Sequence, residues 1–278
     1  MIPIRDDNPT HSKAYLTIGL IVINSLIFLY QVTRPGQEGE AFLWKYGYIP
    51  AKLVTSAEEF ERELPERAPI VPMVDRHGRV QRDIFGRPVA VRQPIPVEAA
   101  TEVPAGLSIL TCMFLHGGWM HLIGNMLYLW IFGNKVEERL GAPLFLLFYL
   151  GTGIVGNLAH TYFEHSWVPL VGASGAISGV MGGYILLYPH ARILAIAPLG
   201  FYWLTVKLPA WLFLGVYVLA QNLWPAYFGR SDGVAYWAHL GGFAAGAALI
   251  YAFPHRRPTR FAPPVSRRVD DDDADIVF

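Results

Sequence analysis

Residues 172–188 read Gly172-Ala173-Ser174-Gly175-Ala176-Ile177-Ser178-Gly179-Val180-Met181-Gly182-Gly183-Tyr184-Ile185-Leu186-Leu187-Tyr188. The segment carries no charge. Gly175, Gly179 and Gly183 recur every fourth residue, which lines them along one helix face. Such stripes of small residues let helices approach closely in lipid, where apolar side chains gain little by leaving one hydrocarbon surface for another. From Ala173 to Tyr188 the helix would be about 16 residues, or ~24 Å. That is shorter than a hydrocarbon core of ~30 Å. A serine at its start therefore lies below the membrane surface, in a recess where water or protein must meet the irregular backbone.

The rest of the chain fits a membrane setting. Of 278 residues 53% are hydrophobic and only 16% charged, and mean hydropathy is +0.32; a soluble domain is roughly 25% charged. Between Ala105 and Phe253 the charges are confined to Lys135, Glu137, Glu138, Arg139, Glu164, Arg192, Lys207, Arg230 and Asp232. The composition rules out a secreted mini-domain, a coiled coil and a disordered chain. Lys+Arg and Asp+Glu both number 22, so net charge offers nothing to a nucleic acid. The single cysteine, Cys112, excludes an internal disulfide and a cysteine-built metal site.

Six apolar spans are expected, in an all-α polytopic bundle. The first is Ala14 to Val32; with no small-x-small cleavage site after it, it reads as a retained helix. Leu107 to Leu115 is too short to cross and ends at Gly117-Gly118. The remaining spans are Trp119 to Leu140, Pro143 to Phe163, Ala173 to Tyr188, Leu208 to Phe228 and Tyr236 to Phe253. The chain divides accordingly. Residues 1–33 form a cytoplasmic N-terminus and the first helix, and 34–104 an extracytoplasmic insertion. Residues 105–254 form the core, and 255–278, with Asp270 to Asp273, a disordered cytoplasmic tail. In the insertion, Ser56 to Arg67 reads as a short polar helix capped by Ser56. Val71 to Val91 holds the turn signals His77-Gly78 and Phe85-Gly86, and reads either as a small hairpin or as a partly disordered loop. An even number of spans puts both termini on one side. Lys13, Lys135, Arg139, Arg192, Arg256, Arg257 and Arg260 lie on that side, which the positive-inside rule makes cytoplasmic.

Polar residues inside the apolar body are costly and therefore candidates for function. His121 and Asn125 lie one turn apart on the second span, Ser174 starts the fourth, and His239 lies near the start of the sixth. Gly242 and Gly246 form a second small-residue stripe below His239. Packing it on the Gly175 stripe brings Ser174 and His239 side by side. A serine hydroxyl is a weak nucleophile until a base takes its proton, and His239 is the candidate base. Attack on an amide creates an oxyanion. The free N–H groups at a helix start favour an anion, and His121 and Asn125 can add side-chain donors. His160, His165 and His190 read as surface residues, and Asn157, Gln221 and Asn222 as interhelical hydrogen bonders.

With these residues in place the sequence resembles the rhomboid family of intramembrane serine proteases. The matching motifs are His116-x4-His121-x3-Asn125, Val136-Glu137-x-Arg139-Leu140-Gly141, Gly172-Ala173-Ser174-Gly175 and Ala238-His239-x2-Gly242-x3-Gly246. The resemblance covers about Gly106 to Phe253, together with the first span. It implies a six-helix core, a Ser–His dyad with no acidic third member, and no cofactor or metal. Its implied partners are the lipid bilayer and single-pass transmembrane protein substrates, which it cleaves. Ser174 carries over as nucleophile and His239 as general base. Asn125, His121 and the Ser174 amide carry over as the oxyanion hole. His116, Gly172, Gly175 and Gly242 take supporting roles, His116 by orienting the loop before the second span. Some relatives stack a tyrosine on the base from one turn after the nucleophile; here that position is Ser178. No family role extends to the insertion before Leu107.

Two alternatives belong to other classes. A haem or metal protein could use His116, His121 and His239, but would not require Gly-x-Ser-Gly, and no His-Glu-x-x-His motif is present. An inactive rhomboid-like scaffold would bind transmembrane clients without cutting them; such relatives lose the serine or the histidine, and both are present here. The compact layout, without an Arg/Ser-rich presequence, favours a prokaryotic plasma membrane.

Overall fold

The computed structural model describes residues 1–8, 12–34, 36–67, 70–72, 80–81, 88–92, 94–199, 202–228 and 233–253. The chain opens with strand β1 (Ile2–Asp6) and helix α1 (Tyr15–Val32). No capping side chain precedes α1 in sequence. Its free N–H groups are met instead by a distant carboxylate: Glu137 accepts from Leu16 N (2.9 Å), Thr17 N (2.7 Å) and Thr17 Oγ1 (2.7 Å). A carboxylate at a helix start is favoured by the dipole as well as by the hydrogen bonds.

The next stretch forms α2 (Gln37–Tyr46), α3 (Ala51–Val54), α4 (Ala57–Glu63), the strands β2 (Ile70–Pro72) and β3 (Ala90–Arg92), and α5 (Val97–Glu102). Ser56 caps α4 by accepting from Glu59 N, as the sequence predicts. β2 and β3 pair antiparallel, which favours the hairpin over the loop. The two turn signals between them lie outside the described residues, as does the whole tail from 254 onward. Trp44, Ile49, Phe60 and Leu64 form a small core of their own, with Trp167 stacked on Phe60 at 5.6 Å. Burial pushes the Lys52 ammonium below its ordinary range, and its Nζ donates to the Ala100 and Val103 carbonyls.

Helix α6 (Ala105–Thr111) ends in a 3₁₀ turn, and the chain bends by 85°. It then enters α7 (Trp119–Tyr128), which runs through a π-helical turn at Leu129–Gly133 into α8 (Asn134–Leu140). α9 (Ala142–Phe163) and α10 (Ser174–Leu187) follow, then strands β4 (Arg192–Leu199) and β5 (Tyr202–Pro209). α11 (Ala210–Val218) passes through a second π turn at Leu219–Leu223 into α12 (Trp224–Tyr227), and α13 (Tyr236–Leu249) ends in a 3₁₀ turn at Ile250–Ala252. Among the described residues, α1 and α9 are long and apolar enough to cross a membrane, and the bent pair 105–114 and 119–140 makes a third span if taken as one.

The expectation of an all-α fold is corrected. The structure is mostly helical but carries a three-stranded sheet in the order β1-β4-β5. β4 and β5 pair antiparallel, and alternate side chains of β4 suit a one-sided sheet. Ile193 and Ala195 are buried against the helices, while Arg192 stands exposed. β1 adds to this hairpin with an irregular register between Pro3 and Arg5, where the ring nitrogen of Pro3 has no proton to donate.

The centre of the bundle is the seam of α9, α10 and α13. Its helices meet backbone to backbone. A Cβ at Gly242 would overlap the Gly175 carbonyl, one at Gly246 the Gly179 carbonyl, and one at Gly182 the Phe243 carbonyl. The expected Gly175/Gly179/Gly183 stripe is split between partners: Gly179 faces Thr152 of α9, and Gly183 faces the Phe148 and Ile250 side chains. α9 joins the seam through Gly156, where a Cβ would stand 2.6 Å from the Ala238 carbonyl oxygen. His160 is buried, not at the surface as expected. It continues the inward face of Thr152, Gly153, Gly156 and Asn157 at helical spacing.

Candidate active site

Ser174 is the first helical residue of α10. The residue two before it, Gly172, has φ +125°, a conformation that side-chain-bearing residues rarely adopt. A Cβ there would also stand 2.7 Å from His121 Cε1 and Nε2. Glycine is therefore required twice over, by the backbone and by the imidazole lying against it. The loop leading to Ser174 is anchored on both sides. Gly172 N donates to Cys112 O at 2.9 Å, Tyr48 and Leu170 exchange two backbone bonds at 3.0 and 2.7 Å, and Ala51 N donates to Ser166 O at 3.0 Å. The Tyr48 hydroxyl pairs with Thr161 Oγ1 of α9 at 2.6 Å. Tyr48 and Ala51 belong to the 34–104 stretch, to which the sequence assigns no role. The fold uses them to hold the loop of the candidate nucleophile.

His239 lies in the first turn of α13, and its Nε2 is 2.7 Å from Ser174 Oγ. The close approach follows from the seam, because Gly242 rests on the Gly175 carbonyl three residues below His239. The other ring nitrogen, Nδ1, is 2.7 Å from Asn222 Oδ1. Asn222 is buried within the π turn after α11, and its Nδ2 donates to Tyr217 O at 2.8 Å. Ser178, in place of a stacking tyrosine, is fully buried and pairs with the Tyr217 hydroxyl at 2.7 Å. The sequence marks Asn222 as a hydrogen bonder between helices but does not connect it with the site.

The opposite wall is α7. His121 Nδ1 accepts from Gly117 N at 3.3 Å. That bond leaves the proton on Nε2, the atom beside Gly172. Asn125 follows one turn later. Its Nδ2 is buried and makes no hydrogen bond among the described residues, an expensive condition for an amide donor. His116 is wholly buried and does not face the cavity. Its ring packs edge-on against His121 at 5.2 Å and Phe28 at 6.4 Å, and its backbone is gripped by Gln31 of α1, through His116 O (2.6 Å) and His116 N (3.3 Å). Nothing local in the sequence ties Gln31 to this loop.

Ser174, His239, His121 and Asn125 all line one cavity of about 600 Å³, whose lower part reaches Tyr128, Met181 and Tyr217. Gly175 and Gly242 lie beneath it in the seam. Among the described residues no three His, Cys, Asp or Glu side chains are placed to hold a metal ion. A hydroxyl facing an imidazole, with unspent N–H donors on the opposite wall, is an arrangement suited to acyl transfer.

Comparison with known proteins agrees with this architecture. Residues 105–256 match the Rhomboid domain. The chain is 35% identical over 154 residues to Rhomboid protein 1, mitochondrial, of Saccharomyces cerevisiae, covering 52% of this chain and 41% of that protein. It is 33% identical over 144 residues to Rhomboid-like protease 3 of Toxoplasma gondii, covering 51% and 49%. It is 48% identical over 80 residues to Rhomboid protease GluP of Bacillus subtilis, covering 29% and 15%. The matches thus span half or less of each relative's own length. The matched domain takes in every helix of the glycine seam and more than half of the chain, and on that ground this multi-pass membrane protein belongs to the rhomboid family.

Proposed function

We propose that the protein is an intramembrane serine endopeptidase that cuts the transmembrane segments of membrane-anchored proteins. The 2.7 Å approach of Ser174 Oγ to His239 Nε2 carries this reading. In the first step Ser174 Oγ attacks the scissile carbonyl carbon and its proton passes to His239 Nε2. The oxyanion is received by the Ser174 N–H, which has no intrahelical partner at a helix start, and by Asn125 Nδ2 and His121 Nε2. Collapse expels the amine, which takes the proton back from His239. Water then attacks the acyl-Ser174 ester, with His239 again acting as base, and releases the free acid.

In this reading the core has six spans, both termini are cytoplasmic, and the membrane is a prokaryotic plasma membrane. On this reading Ser174 lies below the membrane surface, which the shortness of α10 supports, and substrates reach it from the bilayer and must unwind locally. Small or helix-breaking residues near the outer end of the substrate helix favour cleavage, and leucines inserted there slow it.

Cleavage of a generic transmembrane substrate, compared between wild type and Ser174→Ala on a gel, tests the assignment. A fluorophosphonate should label Ser174 alone. Labelling that survives Ser174→Ala would remove Ser174 as nucleophile. Wild-type protein that neither labels nor cleaves would favour a client-binding scaffold.

A further inference from the structure

We infer that Asn222 is the positioning residue for the base, so that the site is a Ser174–His239–Asn222 array; this rests on Ser174 and His239 being nucleophile and base. The orientation of the Asn222 amide is settled by its neighbours. Its NH₂ end is spent on the Tyr217 carbonyl at 2.8 Å. Its oxygen is therefore the atom that meets His239 Nδ1 at 2.7 Å. A carbonyl oxygen can only accept, so Nδ1 must carry the ring proton. Nε2 is then unprotonated and turns its lone pair to the Ser174 hydroxyl at 2.7 Å. In the opposite tautomer two acceptors would face each other across the Asn222 contact, and Nε2 would have nothing with which to take the serine proton.

The contact is built into the fold. Asn222 lies in the π-helical turn Leu219–Leu223, and the wider turn carries it inward from a helix whose other faces are exposed at Leu219 and Leu223. Such turns recur at functional sites. The chain of contacts also closes on itself. It runs from Ser178 Oγ to the Tyr217 hydroxyl, through that residue's carbonyl to Asn222, on to His239 and back to Ser174. Both ends lie on α10, one turn apart. The π turn after α11 and the start of α13 are thus referenced to the helix that bears the nucleophile. Every member is neutral. A carboxylate in this place would be costly at membrane depth, whereas an amide fixes the same tautomer without a charge. When His239 takes the serine proton, Nδ1–H keeps its partner, and the Asn222 carbonyl dipole faces the imidazolium.

The full-length protein in detergent or vesicles tests this in two ways. Asn222→Leu keeps the side-chain volume and removes the acceptor. It should lower kcat roughly 10²-fold and leave KM within about two-fold, since the contact orients the base and does not touch substrate. Asn222→Asp restores an acceptor for Nδ1 but loses the donor to the Tyr217 carbonyl and adds the cost of a carboxylate, so it should recover part of the lost kcat. Separately, ¹⁵N NMR of labelled histidine should find His239 as the Nδ1–H form in wild type and as a mixture in Asn222→Leu. Wild-type kcat in Asn222→Leu would overturn the role. So would an unchanged tautomer, or loss of kcat with loss of fold that Asn222→Asp does not repair. If wild type shows no cleavage, the protease reading fails, and the NMR measurement still decides the Asn222 contact.

Discussion

The glycine seam of α9, α10 and α13 and the rim formed by α7 and α11 contribute to the same cavity in opposite ways. In the seam, carbonyl oxygens rest against glycines, and no side chain separates the backbones that carry Ser174 and His239. On the rim, Gly124 and Gly215 would meet nothing within 4 Å if given a Cβ, and Trp119, Met120, Trp211 and Leu219 are exposed. The seam supplies position and the rim supplies donors, acceptors and an opening. Rate and stability should therefore separate by region, since packing errors act where atoms are crowded and lost donors act where they are not.

The largest effect is expected at the tightest seam contact. Gly246→Val drives side-chain carbons into the Gly179 carbonyl and should destabilise the fold by about 3 kcal/mol or more. Gly215→Val on the rim should stay within about 0.5 kcal/mol of wild type. Melting temperatures in one detergent decide between them, and equal losses would dissolve the distinction.

Asn125→Ala should lower the cleavage rate by about 10²–10³-fold with stability within about 1 kcal/mol, because the lost Nδ2 donor is buried without a partner. Comparable damage to Tm and rate would make Asn125 structural.

Gly242→Val, at the seam contact nearest His239, should cost about 10²-fold in rate through a displacement of about 1 Å, whereas Gly124→Val should leave the rate near wild type. A dead Gly124→Val beside an active Gly242→Val would mean that the dyad is assembled by some other face.

A smaller loss than at Gly246 is expected for Tyr217→Phe, which strips the buried Ser178 hydroxyl of its partner and should cost about 1–2 kcal/mol. Proteolysis and thermal melting of this variant show how much the rim depends on its tie to the seam.

The sequence by itself located the main apolar helices and singled out the candidate site residues. The apolar runs at Pro143–Phe163, Ala173–Tyr188 and Tyr236–Phe253 correspond to α9, α10 and α13 within a few residues. The glycines at Gly242 and Gly246 signalled a backbone-to-backbone contact, and Ser174, His239, His121 and Asn125 stood out as polar groups at helix starts. These are local signals: period, composition and the cost of a polar atom in lipid. Tertiary structure decided what each face meets. The side-chain position of Gly179 turned to Thr152 of α9, while its carbonyl met Gly246 of α13. Gln31 reached the His116 backbone from α1, and Tyr48 took hold of the loop before Gly172. His160 looked like an interfacial histidine until α9 was seen to bury that side. The sheet went unread because β1 finds its partner strand beyond all the helices from α1 to α10, and pairing between remote strands leaves no periodic trace in either one. Asn222 is the sharpest case. In a regular helix its direction follows from counting 3.6 residues per turn, but the π turn changes that count, and a change of winding is set by the neighbours that satisfy the freed backbone groups rather than by the residues that undergo it.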